Sequence, residues 1–200
     1  MTDHYNLCRL AALHRRIPPF DVSPFLLCHD AMSKTIMITG GARSGKSALA
    51  EARTLSLRTG AQAHYIATAQ AFDTEMEARI ATHRARRGPE WINHAEPLDI
   101  VSVIRATDTA PRLVDCLTLW LTNLMLGEHD WNAATESLLT VLAEQTHPVI
   151  FVTNELGSGI VPENALARAF RDAAGALNQR IAAQADEVTL AVCGLPVKVK

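Results

Sequence analysis

The feature that most constrains this chain is a glycine-rich segment between a short apolar run and a helix-forming run. Residues 40–47 match the pattern G-x-x-x-x-G-K-[ST]. The apolar residues 35–39 before the segment predict a buried strand, and residues 48–53 after it predict a helix. A strand, a tight turn and a helix N-terminus direct several backbone N–H groups at one anion, and the helix dipole favours negative charge there.

This segment predicts a binding site for a nucleoside triphosphate. Its members are Gly40, Gly41, Ala42, Arg43, Ser44, Gly45, Lys46 and Ser47. In loops of this pattern the backbone surrounds the phosphates, the lysine (Lys46) reaches the β- and γ-phosphates, and the serine hydroxyl (Ser47) ligates Mg²⁺. A glycine-rich turn that matches by chance is the alternative, and the strand and helix on either side argue against it.

Apolar runs alternate with helical stretches along the chain, which is typical of an α/β fold with a mainly parallel sheet. After the first strand, we predict strands at residues 63–68, 112–115, 148–153 and, as the last strand, 187–192, which is followed by a turn at residues 194–196. Further helices are predicted at residues 73–87, 132–144 and 163–185, the last as one helix or a pair. Ligands of such sheets bind at the carboxyl ends of the strands, so the residues directly after each strand are the candidates for chemistry.

The composition favours neither nucleic acid nor a membrane surface as a partner, because the net charge is only −2 over 200 residues. No apolar run approaches the length of about 20 residues that a membrane-spanning helix needs. The four cysteines are scattered without C-x-x-C spacing, so we expect neither a zinc site nor a disulfide framework. Scattered cysteines without a disulfide framework suit a reducing compartment and predict a cytoplasmic protein.

The beginning of the chain differs from the rest. It shows no clear periodicity, and it lacks the long apolar stretch and cleavage site of a secretory signal. We predict that residues 1–33 are a poorly ordered N-terminal extension and that residues 34–200 form a single domain.

Asp115 ends a predicted strand, as the metal-binding aspartate of a Walker-B motif does. Such a carboxylate helps to hold Mg²⁺ beside the last serine of the glycine-rich phosphate-binding loop (P-loop), which is Ser47 here. The alternative is an aspartate that caps the next helix. The glycine-rich loop favours the metal role, so we assign Mg²⁺ to Ser47 and Asp115.

The predicted helix at residues 73–87 combines a histidine with a basic cluster. On a helix, Met76, Ile80 and His83 share one face. The basic cluster consists of Arg84, Arg86 and Arg87. These guanidinium groups attract phosphate, and their positive charge favours the neutral, nucleophilic imidazole of His83. Attack of His83 on phosphorus would form a phosphoramidate; alternatively, His83 packs on the apolar stripe and the arginines are a solvated patch.

Polar residues also follow the strand at residues 148–153. Residues 153–155 open into the glycine-containing loop 156–162, at the sheet edge where a second substrate could enter. Farther on, polar side chains recur along the helix at Arg168, Arg171, Asp172, Asn178 and Gln179. Spacing alone favours a solvent-facing ion-pair network for them.

Six motifs now follow one another in order. They are Gly-Gly-Ala-Arg-Ser-Gly-Lys-Ser (40–47), Tyr-Ile-Ala-Thr-Ala (65–69), Glu-Met…Arg-Ile…His-Arg (75–84), Leu-Val-Asp-Cys-Leu-Thr (113–118), Val-Thr-Asn-Glu…Gly-Ile-Val-Pro (152–162) and Phe-Arg-Asp…Gly…Asn-Gln (170–179). Together they closely resemble the bifunctional adenosylcobinamide kinase / adenosylcobinamide-phosphate guanylyltransferase family of cobalamin biosynthesis. The resemblance extends from Lys34 to Lys200.

The resemblance implies two reactions. In the first, ATP or GTP phosphorylates the hydroxyl of the aminopropanol arm of adenosylcobinamide. In the second, a histidine attacks the α-phosphorus of GTP, and the bound GMP passes to adenosylcobinamide phosphate to give adenosylcobinamide-GDP. The family resembles RecA-like P-loop proteins that assemble as trimers, so a homotrimer is expected.

The resemblance also implies roles for individual residues. The nucleophile is assigned to His83, and Lys46 is the second catalytic residue. Nucleotide contacts are implied at Ala67, Thr68, Ala69, Arg84, Ala85, Arg86, Arg87 and Asp115. Ala95 stands where the family usually has a glutamate, so either Glu96 supplies that nucleotide contact, as we predict, or the contact is lost.

Two other functions compete with this hypothesis. A simple small-molecule P-loop kinase would use the nucleotide only as a phosphoryl donor, with His83 in a structural role. A nucleotide-dependent regulatory module would bind ATP or GTP to change shape and dock a partner, without turning over cobinamide.

Overall fold

The strands predicted from the sequence all belong to one sheet in the computed structural model, which describes residues 35–71, 74–85 and 87–200. The strands are β1 (Thr35–Gly40), β2 (Ala63–Ala67), β3 (Trp91–Ala95), β4 (Arg112–Asp115), β5 (Val149–Asn154), β6 (Glu187–Val192) and β7 (Leu195–Lys198). The helices are α1 (Lys46–Ser56), α2 (Thr74–Ala85), α3 (Ile100–Ala106), α4 (Leu117–Leu126), α5 (Trp131–Glu144) and α6 (Ala165–Gln184). The predicted extension at residues 1–33 lies outside the described residues.

The strand order places the glycine-rich loop and Asp115 at the same edge of the sheet. The order is β3-β2-β4-β5-β1-β6-β7, with β7 antiparallel to β6 and the other neighbours parallel. Strand β5 lies between β1 and β4, and Gly40 at the end of β1 pairs with Asn154 at the end of β5. Asp115 pairs with Ala67. The predicted α/β fold with a mainly parallel sheet is confirmed.

The two faces of the sheet pack against different helices. On one face, Met37 and Phe151 pack with buried residues of α3, α4, α5 and α6. On the other face, Ile36 and Val152 pack with Leu49 of α1. Residues 149–152 of β5 are each 0% exposed. This double burial explains why β5 reads as a continuous apolar run in the sequence.

Four elements were absent from the sequence predictions. Strand β7 is an exposed edge strand that contains Pro196, and its start was predicted as a turn. Strand β3 is an edge strand in which Ile92, Asn93 and Ala95 are exposed, so it shows no continuous apolar run. Helix α3 has only seven residues, which leaves little periodicity to detect. Helix α4 is apolar on most sides because it is buried under the sheet. In the described part of the chain, no helix is long and apolar enough to cross a membrane.

A buried ion pair connects the helix after the glycine-rich loop to the sheet. Arg53 of α1 donates from Nη2 to Oε2 of Glu187 at the start of β6, over 2.9 Å. The two side chains are 4% and 6% exposed. Each partner therefore satisfies a charge that water cannot reach, and removing one partner leaves the other charge buried and unpaired.

We expect Glu187→Ala to lower the free energy of unfolding by about 3–5 kcal/mol, because Arg53 would lose its buried counter-ion. Urea denaturation of the purified protein measures this change. The control is Glu144→Ala, which removes an exposed partner of Arg105 and should cost no more than about 1 kcal/mol. Equal, small losses in both variants would contradict a role of the buried pair in stability.

Candidate active site

Close backbone packing shapes the glycine-rich loop. A Cβ on Gly40 would lie 2.6 Å from Oγ of Ser44 and 2.7 Å from the carbonyl oxygen of Ala191 in β6. Gly45 has φ 90°, and a Cβ there would lie 2.9 Å from Cα of Gly194. The Gly194 N–H donates to the carbonyl oxygen of Ser44 over 2.8 Å. Only glycine permits these approaches, which fix the loop against the turn between β6 and β7.

The loop ends at a helix start that suits an anion. Gly45 precedes α1 as its N-cap and provides no side-chain hydrogen bond. The first N–H groups of a helix have no partner within the helix, so they remain available to a phosphate. Lys46 Nζ lies over the loop and donates to the carbonyl oxygen of Gly41 over 3.0 Å. This geometry matches the phosphate-binding role that the sequence predicts.

A cleft of about 280 Å³ lies beside the loop at the carboxyl edge of the sheet. Six of the predicted site residues line it: Lys46, Ser47, Ala67, Ala69, Arg87 and Asp115. They come from the loop, from the ends of β2 and β4, and from the segment after α2. The structure thus brings the predicted phosphate-binding and metal-binding groups together.

Six other residues that line the cleft were not in the predicted site. They are Tyr65, Met76, Ile80, Cys116, Leu119 and Asn154. Met76 and Ile80 lie on the helical face that the sequence analysis assigned to His83, so periodicity could have placed them there. Asn154 is the last residue of β5 and directly follows the strand predicted at residues 148–153, so it could have been found from its position. Tyr65 lies within a strand, and no local signal singles it out.

Tyr65 connects two predicted site residues. Its hydroxyl donates to Oδ2 of Asp115 over 2.7 Å, and the guanidinium carbon of Arg87 lies 3.8 Å from the centroid of its ring. Arg87 Nε also donates to Oδ1 of Asn93 over 2.6 Å. Burial and the adjacent Asp115 carboxylate raise the pKa of Tyr65, so its hydroxyl keeps its proton and remains a donor. Asp115 is therefore held in place by a neutral phenol.

The alternative role of Asp115 as a helix cap is not what the structure shows. Cys116 is the N-cap residue of α4, and no side chain caps that helix.

Burial, and secondarily the Asp115 charge, raises the pKa of the Cys116 thiol to about 11. Cys116 is thus a neutral thiol at pH 7 and lines the cleft as a small apolar group.

Thr68 and Glu96 make contacts within the protein. The Thr68 hydroxyl donates to the carbonyl oxygen of Cys116 and accepts from its N–H, each over 2.8 Å, which ties β2 to β4. Oε1 of Glu96 accepts from the N–H groups of Leu98 and Asp99 at 2.9 and 2.8 Å. Neither residue is among the described residues that line the cleft. Their predicted nucleotide contacts remain predictions.

The region around the predicted nucleophile is described only in part. Residue 83 belongs to α2, one turn after Ile80, but the side chain of His83 lies outside the described part of the chain, as does Arg86. Arg84 and Ala85 are exposed and do not line the cleft.

The polar residues of α6 do not form the ion-pair network that their spacing suggested. Arg168 Nη1 donates to the carbonyl oxygens of Pro162 and Glu163 over 3.0 and 2.6 Å. Arg171 Nη1 donates to the carbonyl oxygen of Gly159 over 3.4 Å. Within residues 87–200, these arginines therefore hold the backbone of the preceding loop, and neither forms an ion pair with a described carboxylate.

Among solved structures, the chain matches the ATPase domain of G40P with a TM-score of 0.47 and 12% sequence identity, over 81% of this chain and 70% of that one. The flagellar accessory protein FlaH from Methanocaldococcus jannaschii has a TM-score of 0.46 and 13% identity, over 78% of this chain and 70% of that one. The glycine-rich loop and the strand order of this chain identify a P-loop NTPase fold.

Several curated proteins have a much higher sequence identity to this chain than these solved structures. The bifunctional adenosylcobalamin biosynthesis protein CobP of Pseudomonas aeruginosa is 48% identical, over 82% of this chain and 96% of the relative. The bifunctional adenosylcobalamin biosynthesis protein CobU of Salmonella typhimurium is 45% identical, over 82% of this chain and 99% of the relative. A family model described as cobinamide kinase / cobinamide phosphate guanyltransferase matches residues 36–199. The chain belongs to this family.

Proposed function

We propose that this enzyme performs both reactions of its family, cobinamide phosphorylation and GMP transfer to cobinamide phosphate, with one nucleotide site. One observation carries the proposal of a single site. Lys46 and Ser47 of the P-loop line the same cleft as Met76 and Ile80 of α2, the helix that contains residue 83. A triphosphate bound by the loop therefore lies beside the helix of the predicted nucleophile.

In the kinase reaction, the hydroxyl of the cobinamide arm attacks the γ-phosphorus of the bound nucleotide. The new O–P bond forms as the bond to the β-bridging oxygen breaks, and the nucleoside diphosphate leaves. Such transfers depend mainly on positioning and on neutralising negative charge. The loop N–H groups and the Lys46 ammonium, which lies over the loop, supply these effects here.

The residues present fit a Mg²⁺ ion that accompanies the nucleotide. Mg²⁺ prefers oxygen ligands and is often bound by one or two protein oxygens together with phosphates and water. The Ser47 hydroxyl and the Asp115 carboxylate both line the cleft and would hold the ion. When bound, Mg²⁺ neutralises charge on the phosphate oxygens.

In the guanylyltransferase reaction, we assign the nucleophile to His83. The neutral imidazole attacks the α-phosphorus of GTP, a nitrogen–phosphorus bond forms, and pyrophosphate leaves. A phosphate oxygen of cobinamide phosphate then attacks the same phosphorus, and the nitrogen–phosphorus bond breaks. The support is positional: residues three apart on a helix share a face, and Ile80, three residues before His83, lines the cleft.

The homotrimer expected from the resemblance and the cytoplasmic location expected from cysteine usage also belong to this proposal. Size-exclusion chromatography with light scattering would test the trimer.

We expect Tyr65→Phe to raise the Mg²⁺ concentration for half-maximal kinase activity by about tenfold or more, since a hydrogen bond to a charged group contributes about 1.5–3 kcal/mol. The ring would keep its packing against Trp91, whose ring centroid lies 5.5 Å away. Mg²⁺ titrations of the initial rate measure the effect. An unchanged Mg²⁺ dependence, in an assay where Asp115→Asn alters it, would show that Tyr65 does not position Asp115.

We expect His83→Ala to keep phosphorylating adenosylcobinamide and to lose GMP transfer, because only the second reaction needs the imidazole. The measurements are cobinamide-dependent ADP formation and covalent labelling by GTP that is radioactive in its α-phosphate. The wild type should carry an acid-labile, alkali-stable label that His83→Ala lacks.

The control for this experiment is His129→Ala, which removes an exposed histidine after α4. It should be labelled like the wild type. Label retained on His83→Ala would refute the assignment of the nucleophile. No label on any protein, together with cobinamide phosphorylation, would favour the simple kinase.

A further inference from the structure

A second cavity, of about 350 Å³, lies at the same edge of the sheet and is separate from the nucleotide cleft. One side is the loop that follows β5, including Glu155 and Gly157. The other side is α6, which contributes Arg171, Asp172 and Gln179. None of these residues is among the predicted nucleotide contacts, and the two reactions described above do not use them.

The second cavity and the nucleotide cleft share a boundary. Asn178 lines the second cavity, and its Nδ2 donates to the carbonyl oxygen of Asn154 over 3.1 Å. Its Oδ1 accepts from the Thr153 hydroxyl over 2.8 Å. Asn154 in turn lines the nucleotide cleft. The hydrogen-bonded pair of Asn178 and Asn154 therefore forms the boundary between the second cavity and the nucleotide cleft.

A glycine keeps the second cavity open. Gly175 lies in the interior of α6 and lines the cavity, and a Cβ built there meets no atom within 4 Å. Glycine in a helix interior is destabilising relative to alanine. The packing of the described residues does not require a glycine at this position. The small residue instead preserves space beside the loop.

The side chains around this space offer both donors and acceptors. Within the described ranges, the Asp172 carboxylate and the Gln179 amide have no hydrogen bond or ion pair with another residue. Arg171 has one long hydrogen bond, of 3.4 Å, to Gly159. The Glu155 carboxylate accepts from the Gly157 N–H and the Ser158 hydroxyl at 2.6 and 2.8 Å, which holds the loop in place.

We propose that this second cavity is the acceptor subsite and binds a primary carboxamide side chain of the corrinoid; this inference rests on the proposed function. A primary amide has a carbonyl oxygen that accepts from a guanidinium and an NH₂ group that donates to a carboxylate. Arg171 and Asp172 supply these two complementary groups at one rim of the cavity. A corrinoid has several primary amide side chains in addition to the arm that bears the reacting hydroxyl. Holding one amide here directs that arm over Asn154 towards the P-loop.

The test is Gly175→Leu, which adds an apolar side chain at the wall of the cavity, where a Cβ meets no atom within 4 Å. We expect the KM for adenosylcobinamide in the kinase reaction to rise by about tenfold or more, the loss expected when a hydrogen-bonded contact is excluded. The KM for ATP should change less than about twofold, because the nucleotide cleft is untouched. The control is Ala183→Leu, which places the same leucine side chain at an exposed position of α6 and should leave both constants unchanged.

A second variant and a stability measurement keep the inference testable. Thermal denaturation checks that Gly175→Leu is folded; if it is not, Asp172→Leu combined with Gln179→Leu replaces it, with the same expected rise in KM. An unchanged KM for adenosylcobinamide would overturn the inference, as would a rise confined to the KM for ATP. If the variant instead changes the oligomeric state and leaves the KM unchanged, the residues around the second cavity form a contact between copies of the chain, and the inference is also overturned. If the wild type itself does not phosphorylate adenosylcobinamide, the proposed function fails instead.

Discussion

The close approach of two backbone turns is the constraint on which the rest of this structure depends. The glycine-rich loop packs against the β6–β7 turn through Gly45 and Gly194, and Gly40 packs against β6. A Cβ on Gly45 or Gly40 would collide with the neighbouring segment, so these close approaches need glycine. The buried pair of Arg53 and Glu187 then fixes α1 to the same strand, β6. These contacts hold the N-terminus of α1 beside the cleft, at the carboxyl ends of the strands.

This fixed loop explains how one site can serve two chemistries. A triphosphate held by its phosphates presents a γ-phosphorus and an α-phosphorus at different distances from the loop. Asn154 at the end of β5 and Ile80 of α2 both line the cleft, so the proposed acceptor path over Asn154 and the helix of the proposed nucleophile lead to the same site. Which bond breaks then depends on which nucleophile is aligned, because positioning supplies much of the barrier reduction in such transfers. The Asp115–Tyr65–Arg87 contacts join the β2, β4 and α2 sides of the site.

Short-range features of the sequence predicted much of this site. The unit of β1, loop and α1 was predicted correctly because its motif is contiguous, and β5 because it is buried on both faces. Contacts between distant residues could not be predicted. Tyr65 and Asp115 are 50 positions apart and meet only because β2 and β4 are neighbours in the sheet. Strand β3 was missed because it is a half-exposed edge strand. Asp172 and Gln179 were assigned to a charged surface, since spacing could not reveal the space beside Gly175.

The central claim is that one P-loop serves both reactions, and covalent labelling of Lys46→Ala by α-labelled GTP tests it most directly. If the loop positions GTP for the histidine, this variant should lose the covalent label as well as cobinamide phosphorylation. Lys198→Ala, which removes an exposed lysine in β7, should be labelled like the wild type. A Lys46→Ala protein that is labelled at the wild-type rate while its kinase activity is lost would contradict the claim and require a second nucleotide site.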